Sequence, residues 1–318
     1  MNRLSPDKRM LEYALNDTCS DIFAFSTTRH GGVSTGTYAS LNCTPYTGDT
    51  AENVLLNQER LLQALPQRPR ELIIPWQTHG TASLVIDTDY LQADPQSRHE
   101  RLQGIDALIT RERGICLCIS TADCIPILLY DQRHRAIAAV HAGWRGTVNR
   151  IVQHTLERMQ MLYGTEGRDV YAVIGPSISL AAFEVGEEVY EAFRTAGFPM
   201  PYIAEWHNDT HKHHIDLWAA NQLQLLDFGL PDTQIETAGI CTYTRHEDFF
   251  SARRLGIKSG RMLSGIMMKS YELQATSDEL QATSDELRAT SDELRATSDE
   301  LQATSDELQV TSNCAAYS

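Results

Sequence analysis

The amino-acid sequence predicts a mixed α/β protein. Short apolar runs bounded by turn residues have the length and composition of buried strands. Longer segments repeat apolar residues at intervals of three and four, which is typical of amphipathic helices. The two patterns alternate along the chain, and 42% of its 318 residues are hydrophobic, which is enough for a sizeable core.

The first clear helix signal lies in residues 48–66. Asp49, followed three residues later by Glu52, has the spacing of a capping box at a helix start. Pro66 marks the end of the segment, because proline cannot continue a helix. Five apolar residues are expected on one face of this helix: Val54, Leu55, Leu61, Leu62 and Leu65.

Four apolar runs predict buried strands. "GICLCIS" (114–120), "CIPILLYD" (124–131) and "RAIAAVHAG" (135–143) follow one another closely, and "DVYAVIGP" (169–176) comes later. Each run is short, rich in β-branched or other apolar residues and bounded by turn-forming residues. The middle of the chain is therefore expected to form a sheet.

Three later segments predict helices. Residues 146–164 repeat apolar side chains at helical spacing from Val148 to Met159. Residues 187–198 and 216–229 show the same periodicity, and Gly229 is expected to end the last helix. Joints between strands and helices are common locations for functional residues.

The composition changes abruptly near Tyr271, where "ELQATSD" begins to repeat with a period of seven. A coiled-coil seam needs two apolar positions in each heptad, and this repeat offers one leucine. Thr, Ser and Asp are weak helix formers. We therefore expect a catalytic domain at residues 1–270 and a tail at residues 271–318 that is either disordered or helical and self-associating.

Charge and cysteine content narrow the class of protein. The formal net charge is −15, of which the segment from Glu272 carries −9 through 11 acidic and two basic residues. An acidic body is a poor partner for nucleic acid. No apolar run is long enough to predict a membrane span or a secretion signal. Seven scattered cysteines are not a disulfide framework, so we expect a reduced, cytoplasmic protein of undetermined oligomeric state.

Three residues at the edges of predicted strands are candidate metal ligands: His79, Cys124 and His141. Two imidazoles and one thiolate leave a tetrahedral ion one open position, which is typical of catalytic rather than structural zinc. A thiolate ligand favours zinc or copper over magnesium or calcium. Sequence spacing alone does not show that the three residues meet, and a purely structural role for each stays open.

A second histidine group lies in "HNDTHKHHIDLW", which contains His207, His211, His213 and His214. It contains no cysteine and leads into a predicted helix. We interpret this segment as a solvated loop.

Several motifs in order along the chain resemble the YfiH-like family. They are "FSTTRHGGVSTGTYASLN", "QTHG", "DALIT", "TADCIPILLYD", "VHAGWRGT", "IGPSIS" with "FEVGEEV", and "FFSARR". This family was formerly described as polyphenol oxidase or laccase-domain proteins and is now described as purine nucleoside phosphorylases. The resemblance covers roughly residues 20 to 268, and so many motifs in one order are highly specific.

The resemblance implies a layered α/β sandwich with mixed β-sheets and a metal bound by His79, Cys124 and His141. It implies a zinc enzyme that phosphorolyses adenosine, inosine, guanosine and methylthioadenosine and deaminates adenosine. Cys124 and His141 would then also be catalytic residues. A metal at this site can lower the pKa of a bound water toward neutrality, which suits deamination.

Phosphorolysis also requires groups that hold phosphate. Arg29, in a glycine-rich segment, and Arg145, next to a predicted helix start, are candidates for this role. For each, an ordinary structural role is an equally open alternative.

Three other functions stay open. Two histidines and a cysteine also describe a copper centre, but a multicopper laccase needs several His-X-His pairs and this chain has one, His211 to His213. Cys124 could instead be the nucleophile of a hydrolase with His141 as base. A zinc that only stabilises the fold is the third possibility.

Overall fold

The computed structural model describes residues 2–270 and residue 288. Within that part, residues up to Lys269 form one compact unit. The tail predicted from residue 271 lies outside the described residues, apart from Arg288. The division at residue 270 therefore stays a prediction.

The structure confirms the mixed α/β class, and its strands are short. In chain order they are β1 (Arg3–Leu4), β2 (Met10–Glu12), β3 (Ile22–Thr27), β4 (Glu71–Ile73), β5 (Ser83–Val85), β6 (Ala107–Thr110), β7 (Ile115–Thr121), β8 (Ile125–Asp131), β9 (Ala136–Ala142), β10 (Val170–Ile174), β11 (Glu184–Val185), β12 (Ala204–His207), β13 (Lys212–Ile215), β14 (Ile235–Thr237) and β15 (Met262–Met268).

The helices lie mainly between these strands. In chain order they are α1 (Leu15–Thr18), α2 (Ala51–Ala64), α3 (Thr88–Gln92), α4 (Pro95–Arg101), α5 (Trp144–Val148), α6 (Ile151–Tyr163), α7 (Glu187–Thr195), α8 (Met200–Ile203), α9 (Leu217–Asp227) and α10 (Ala252–Leu255). Single 3₁₀ turns occupy Gly36–Tyr38, Gly167–Asp169, Leu180–Ala182 and Asp232–Gln234. In the described part of the chain, no helix has both the length and the apolar character needed to cross a membrane.

Two six-stranded mixed sheets form the centre of the molecule. The first has the order β1-β2-β3-β15-β7-β4, and the second has the order β14-β10-β8-β9-β6-β5. Most neighbouring strands are antiparallel, but β4 with β7, β5 with β6 and β10 with β14 are parallel. A third, three-stranded sheet has the order β11-β13-β12.

Alternating side chains show how the layers pack. Ile22 and Ala24 of β3 belong to a cluster that also includes Leu128 and Tyr130 of β8, so the two large sheets face each other. Phe23 and Phe25 point to the opposite face of the first sheet, where Leu61 of α2 covers them. The outer face of the second sheet packs against α6, α7 and α9. The fold is therefore the layered α/β sandwich that the sequence resemblance implied.

The start of α2 differs from its prediction. Thr50, rather than Asp49, is the N-cap, and its side chain accepts a hydrogen bond from the Asn53 N–H. The buried residues of α2 are Val54, Asn57 and Leu61, whereas Leu55 is 65% exposed. The predicted apolar face was therefore too wide. Exposed leucines are common on protein surfaces, so a leucine in the sequence pattern does not by itself show that its position is buried.

The helix predicted over residues 146–164 is two helices. The short α5 ends at Val148, and Arg150 has a left-handed backbone with φ of 60° before α6 begins. This break lets Arg150 pack its guanidinium 3.8 Å from the centre of the Phe198 ring. The apolar periodicity continues across the break, so it does not reveal the change of direction.

The histidine-rich segment is a β-hairpin and not the predicted loop. Strands β12 and β13 pair in antiparallel register, with Trp206 opposite His213. His207 stacks on His214 and His213 stacks on Tyr190, each with ring centres 3.7 Å apart. These ring contacts give the imidazoles a packing role, which composition alone does not show.

Candidate metal centre and adjoining cavity

The structure brings His79, Cys124 and His141 to one place. Their ligand atoms all lie within 4.8 Å of one another. The two imidazole rings meet edge to face with centres 4.8 Å apart. In residues 2–270 and 288, this is the one group of three or more histidine, cysteine or acidic side chains with such convergence.

Three different elements supply these side chains. His79 lies in the loop after β4 with a φ of 63°, which is uncommon outside glycine and indicates a locally constrained turn. Cys124 lies in the tight turn where the chain leaves β7 of one sheet and enters β8 of the other. His141 lies in β9, where it pairs with Pro126 of β8. The sandwich therefore places all three residues at one end of the two sheets.

Asp106 connects two of the candidate ligands. Its carboxylate is fully buried and lies 2.7 Å from Nδ1 of His141. The same carboxylate accepts hydrogen bonds from the backbone N–H groups of Thr78, His79 and Gly80. A carboxylate only accepts hydrogen bonds, so Nδ1 of His141 is the donor in this pair and Nε2 is the nitrogen left to bind a metal when the ring is neutral. Carboxylate partners of this kind orient metal-binding histidines.

The cluster also shifts the pKa values of its members. Burial opposes ionisation of Cys124, but the adjacent His141 and His79 rings outweigh it and lower the pKa of the thiol to about 6. Burial likewise opposes charge on His141, yet Cys124 and Asp106 raise its pKa to about 9. Burial also opposes ionisation of Asp106, but the contacts with His141, Gly80 and Thr78 hold its pKa below the usual range. The site therefore favours a thiolate, which is the form that binds metals.

Gly143 leaves room beside the three donors. A Cβ atom at this position would lie 2.9 Å from Cδ2 of His79 and 3.2 Å from Sγ of Cys124. A contact under 3.0 Å would force one of these side chains to move. Two imidazoles and a thiolate are a donor set that zinc and copper accept. The donor set and the space beside it therefore fit a metal ion.

The three donors lie on the wall of a cavity of about 400 Å³. Two groups of residues complete this wall, one polar and one mainly apolar. The polar group contains Thr44, Gln77, Ser120, Thr121 and Arg261, and the other contains Tyr46, Pro75, Ala122, Ala252 and Ile257. A cavity of this volume with few convergent polar groups is typical of a small-molecule site.

Arg261 is the arginine of this cavity wall, and sequence reasoning missed it. It immediately precedes β15, whose first residue, Met262, pairs with Thr121 at the end of β7. Its Nη1 donates to the carbonyls of Ser259 and Gly260, and its Nη2 donates to the carbonyl of Ile257. Burial lowers the pKa of the guanidinium. The arginine is thus fixed in position before any ligand binds.

The structure does not bring Arg29 to the cavity. Its Nε donates to the carbonyl of Ala39 at 2.7 Å and its Nη1 donates to the carbonyl of His246 at 2.7 Å. The guanidinium also lies 5.1 Å from the centre of the Phe250 ring. These contacts tie three loops together, so the structural alternative for Arg29 has the better support.

Arg145 also lies outside the cavity wall. It is exposed and stacks on its neighbour Trp144, with its guanidinium carbon 4.3 Å from the ring centre. It sits within the five-residue helix α5, not ahead of a helix starting near Thr147 as expected. A helix this short does not supply the anion site on which the phosphate assignment depended.

Two signals could have pointed to the missed residues. Asp106 opens the "DALIT" motif, where a carboxylate at the start of an apolar strand needs a partner when it is buried. Arg261 directly precedes the apolar strand β15, and the same reasoning applies to its charge. Neither signal identifies the partner, because the partners are distant in sequence.

The fold and the site together define a layered α/β protein with a three-donor metal centre beside a cavity that can hold a small molecule. The model of the family described as multi-copper polyphenol oxidoreductase laccase matches residues 23–269. The chain belongs to this family.

Individual relatives agree with this placement. A protein named purine nucleoside phosphorylase from Bacteroides thetaiotaomicron is 61% identical over 268 residues, covering 84% of this chain and 99% of that protein. A protein named adenosine deaminase RL5, from an unknown prokaryotic organism, is 42% identical over 246 residues, covering 77% of this chain and 94% of its own length.

A solved structure gives the same result for the fold. The crystal structure of the hypothetical protein YfiH from Bacillus licheniformis superposes with a TM-score of 0.75 at 27% identity, covering 84% of this chain and 99% of that one. These matches confirm the resemblance to the YfiH-like family.

Proposed function

We propose that the protein is a zinc-dependent purine nucleoside phosphorylase that also deaminates adenosine. The observation that carries this proposal is the convergence of His79, Cys124 and His141 within 4.8 Å on the wall of a cavity. Relatives at 61% and 42% identity, named purine nucleoside phosphorylase and adenosine deaminase, support the two activities.

Zinc is the metal that fits the proposed chemistry. A bound zinc ion supplies a Lewis acid that activates water and polarises substrate groups. The chain's own contribution is to hold the donors: Asp106 orients the ring of His141 and the loop of His79, and Gly143 leaves the space. Neither hydride transfer nor electron transfer is needed for either reaction.

Phosphorolysis exchanges one bond for another at the sugar. An oxygen of inorganic phosphate forms a bond to C1′ of the nucleoside while the bond from C1′ to N9 breaks. The electron pair of the broken bond goes to N9, and the base takes up a proton. The products are the free purine and the sugar 1-phosphate. The protein must hold phosphate and nucleoside side by side, since proximity supplies much of the rate enhancement.

Deamination takes place on the base of the same nucleoside. The oxygen of water forms a bond to C6, and the bond from C6 to the exocyclic nitrogen breaks. The nitrogen takes up a proton and leaves as ammonia, so adenosine becomes inosine. Both reactions use the same nucleoside, and only the first uses phosphate.

Copper oxidase chemistry is less well supported than this proposal, despite the description of the family. Multicopper oxidation uses several copper centres, and within residues 2–270 and 288 the structure offers one converged donor group. The hairpin that carries His211 and His213 packs its imidazoles against Trp206 and Tyr190. The relatives named for nucleoside chemistry add to this conclusion.

A cysteine hydrolase is the second candidate function, and one observation favours it. Cys124, His141 and Asp106 form a chain of thiol, imidazole and carboxylate like that of nucleophilic enzymes. His79 argues against it, since a nucleophile needs no second imidazole among its neighbours. A stoichiometric metal on the thiolate would exclude this function.

The proposal also includes purine nucleosides and phosphate as partners and a cytoplasmic location. The seven scattered cysteines support a reducing compartment. The tail from residue 271 has no part in the proposed chemistry.

The test compares Cys124→Ser with Cys241→Ser, a half-buried cysteine outside the cavity wall. Serine stays protonated where cysteine binds zinc as a thiolate, so Cys124→Ser should lose the metal and both activities. Metal content is measured by mass spectrometry, and the products of adenosine with phosphate are separated as inosine and adenine. The Cys241→Ser variant should retain metal and products.

Two results would contradict the proposal. Wild-type protein that binds one equivalent of metal but forms neither inosine nor adenine would exclude both activities. Wild-type protein that binds no metal and is inactivated by alkylation of Cys124 would favour the hydrolase.

A further inference from the structure

Three residues on the cavity wall have a buried hydroxyl group without a hydrogen-bond partner among residues 2–270 and 288. They are Thr44, Ser120 and Thr121. Thr44 and Thr121 are each 1% exposed, so their hydroxyl groups are shielded from bulk solvent. Buried polar atoms are nearly always paired in native proteins. Three residues on the wall of a single cavity thus have hydroxyl groups that could donate to a ligand there.

Arg261 lies on the same wall. Its hydrogen bonds to the carbonyls of Ile257, Ser259 and Gly260 use Nη1 and Nη2, and none of them uses Nε. Its backbone N–H donates to Oδ1 of Asn42, which ties it to the loop that carries Thr44. The guanidinium is therefore held at the cavity with part of its donor edge unused.

The positions of these residues follow from the sheet. Ser120 and Thr121 end β7, and Thr121 pairs with Met262 of the neighbouring β15. Arg261 comes directly before Met262, so it emerges at the same edge. The backbone of Ser120 is also clamped by the side-chain amide of Gln77, two residues before His79. The hydroxyls, the cation and the metal donors thus meet at one end of the first sheet.

The charge of the residues that line the cavity indicates which kind of ligand it can bind. Among the described residues that line this cavity, none is aspartate or glutamate. A ribose diol is commonly bound by a carboxylate, as in dinucleotide sites. Hydroxyl donors around a fixed guanidinium suit a tetrahedral oxyanion, which accepts several hydrogen bonds at once.

We propose that Thr44, Ser120, Thr121 and Arg261 form the subsite that holds inorganic phosphate beside the metal centre. This inference rests on the proposed phosphorolysis and replaces Arg29 and Arg145 as the phosphate-binding residues. The bound phosphate supplies the oxygen that bonds to C1′ as the bond from C1′ to N9 breaks and N9 takes the electron pair and a proton.

Binding of inorganic phosphate to the metal-loaded protein tests the subsite without turnover. Calorimetry compares wild type with Thr44→Val and Thr121→Val, which remove a hydroxyl at nearly constant shape. Each change should weaken phosphate binding by about ten- to a hundredfold, the cost of one lost hydrogen bond to a charged group. Thr165→Val is the matched control, because Thr165 is also fully buried with an unpaired hydroxyl but lies off the cavity wall. It should bind phosphate like the wild type.

The charge is tested by Arg261→Gln. Loss of a charged hydrogen-bonding group should raise the KM for phosphate by about ten- to a hundredfold. Deamination of adenosine without phosphate should be impaired much less than phosphorolysis, since only phosphorolysis uses phosphate. Arg261 also holds the loop from Ile257 to Gly260, so thermal melting checks folding, and the two threonine variants decide the matter if this variant unfolds.

The outcomes separate this inference from the proposed function. If the protein catalyses phosphorolysis but both threonine variants bind phosphate as tightly as the wild type, the subsite is wrong and the proposed function is still supported. Phosphate binding that depends on Thr44, Thr121 and Arg261, in a protein that forms no adenine, would support the subsite and refute the phosphorylase. A rise in the KM for adenosine in both reactions, with phosphate affinity unchanged, would assign these hydroxyls to the ribose and overturn the proposal.

Discussion

Asp106 accepts hydrogen bonds from the ring of His141 and from the backbone N–H groups of Thr78, His79 and Gly80. One carboxylate thus fixes the ring of one candidate ligand and the loop of another. Its backbone carbonyl also accepts from the His141 N–H at 2.8 Å, which locks the two residues across adjacent strands. Asp106 is therefore a positioning residue for the metal centre.

At the residue scale, Asp106→Asn should weaken the metal centre. The amide keeps the shape but removes the negative charge and replaces one acceptor oxygen with a donor. Changes to such supporting partners lower metal affinity by about ten- to a hundredfold. Zinc affinity is measured by competition with a chromophoric chelator on the purified variant.

The matched control is Asp131→Asn. Asp131 is also fully buried and also pairs with a histidine, His134, at 2.8 Å, but it lies at the opposite end of β8 from Cys124. This variant should lose stability without losing zinc affinity. Equal zinc affinity in the Asp106 variant and the wild type would show that Asp106 supports only the fold.

At the scale of elements, the site depends on the joint between β9 and α5. The chain leaves β9 at Ala142, turns at Gly143 and starts α5 at Trp144. Because β9 is buried along its whole length, the backbone at this joint has little freedom to move. The space that Gly143 leaves is therefore a fixed feature of the site.

Gly143→Ala should impair metal binding more than folding. The added methyl would meet Cδ2 of His79 at 2.9 Å and Sγ of Cys124 at 3.2 Å. His79 is exposed and lies in a loop, so it is the side chain that can yield, and its displacement removes one donor. We expect a loss of zinc affinity of at least about tenfold.

Chelator competition and thermal melting of the metal-free protein measure the two effects separately. A variant with wild-type zinc affinity would mean that the donors adjust without cost. A variant whose metal-free form melts far below the wild type would mean that the joint serves the fold first.

At the scale of the whole molecule, the sandwich places the site where the chain passes from one sheet to the other. β7 belongs to the first sheet and β8 to the second, and Cys124 lies in the turn between them. β9 and β15 flank this turn through their pairing with β8 and β7. The site is thus assembled by both sheets, and neither sheet contains it alone.

Removal of the tail after Lys269 should leave this site intact. The family match ends at residue 269, and the relative from Bacteroides thetaiotaomicron is covered over 99% of its length by 268 aligned residues. An aligned length of 268 residues fits a domain at residues 1–270 without the repeat. We expect kcat and KM within a few-fold of the full chain, and light scattering on both forms shows whether the tail self-associates.

A truncated protein that fails to fold, or that loses more than about tenfold in kcat/KM, would show that the tail packs on the catalytic domain. If the truncated protein loses activity only at low protein concentration, the tail instead contributes to self-association of the chain.

Some of the fold and site could be predicted because they depend on near neighbours in the chain. The strands β7, β8, β9 and β10 lie close to their predicted limits, since short apolar runs bounded by turns determine them. The side-chain chemistry of His79, Cys124 and His141 is enough to make them candidate metal ligands. The sequence pattern did not predict the helix break at Arg150, because that break involves a contact with a distant element. The left-handed backbone of Arg150 directs its side chain onto the Phe198 ring.

By itself, the sequence determined the class of fold, its main strands and the three candidate metal donors. Only the tertiary structure decided that Asp106 supports those donors, that Gly143 leaves room beside them and that Arg261 reaches the cavity while Arg29 and Arg145 do not. The reason is physical. Periodicity and residue chemistry are local properties of the chain, whereas the burial and partners of a charge depend on how distant strands pair and which sheet ends meet.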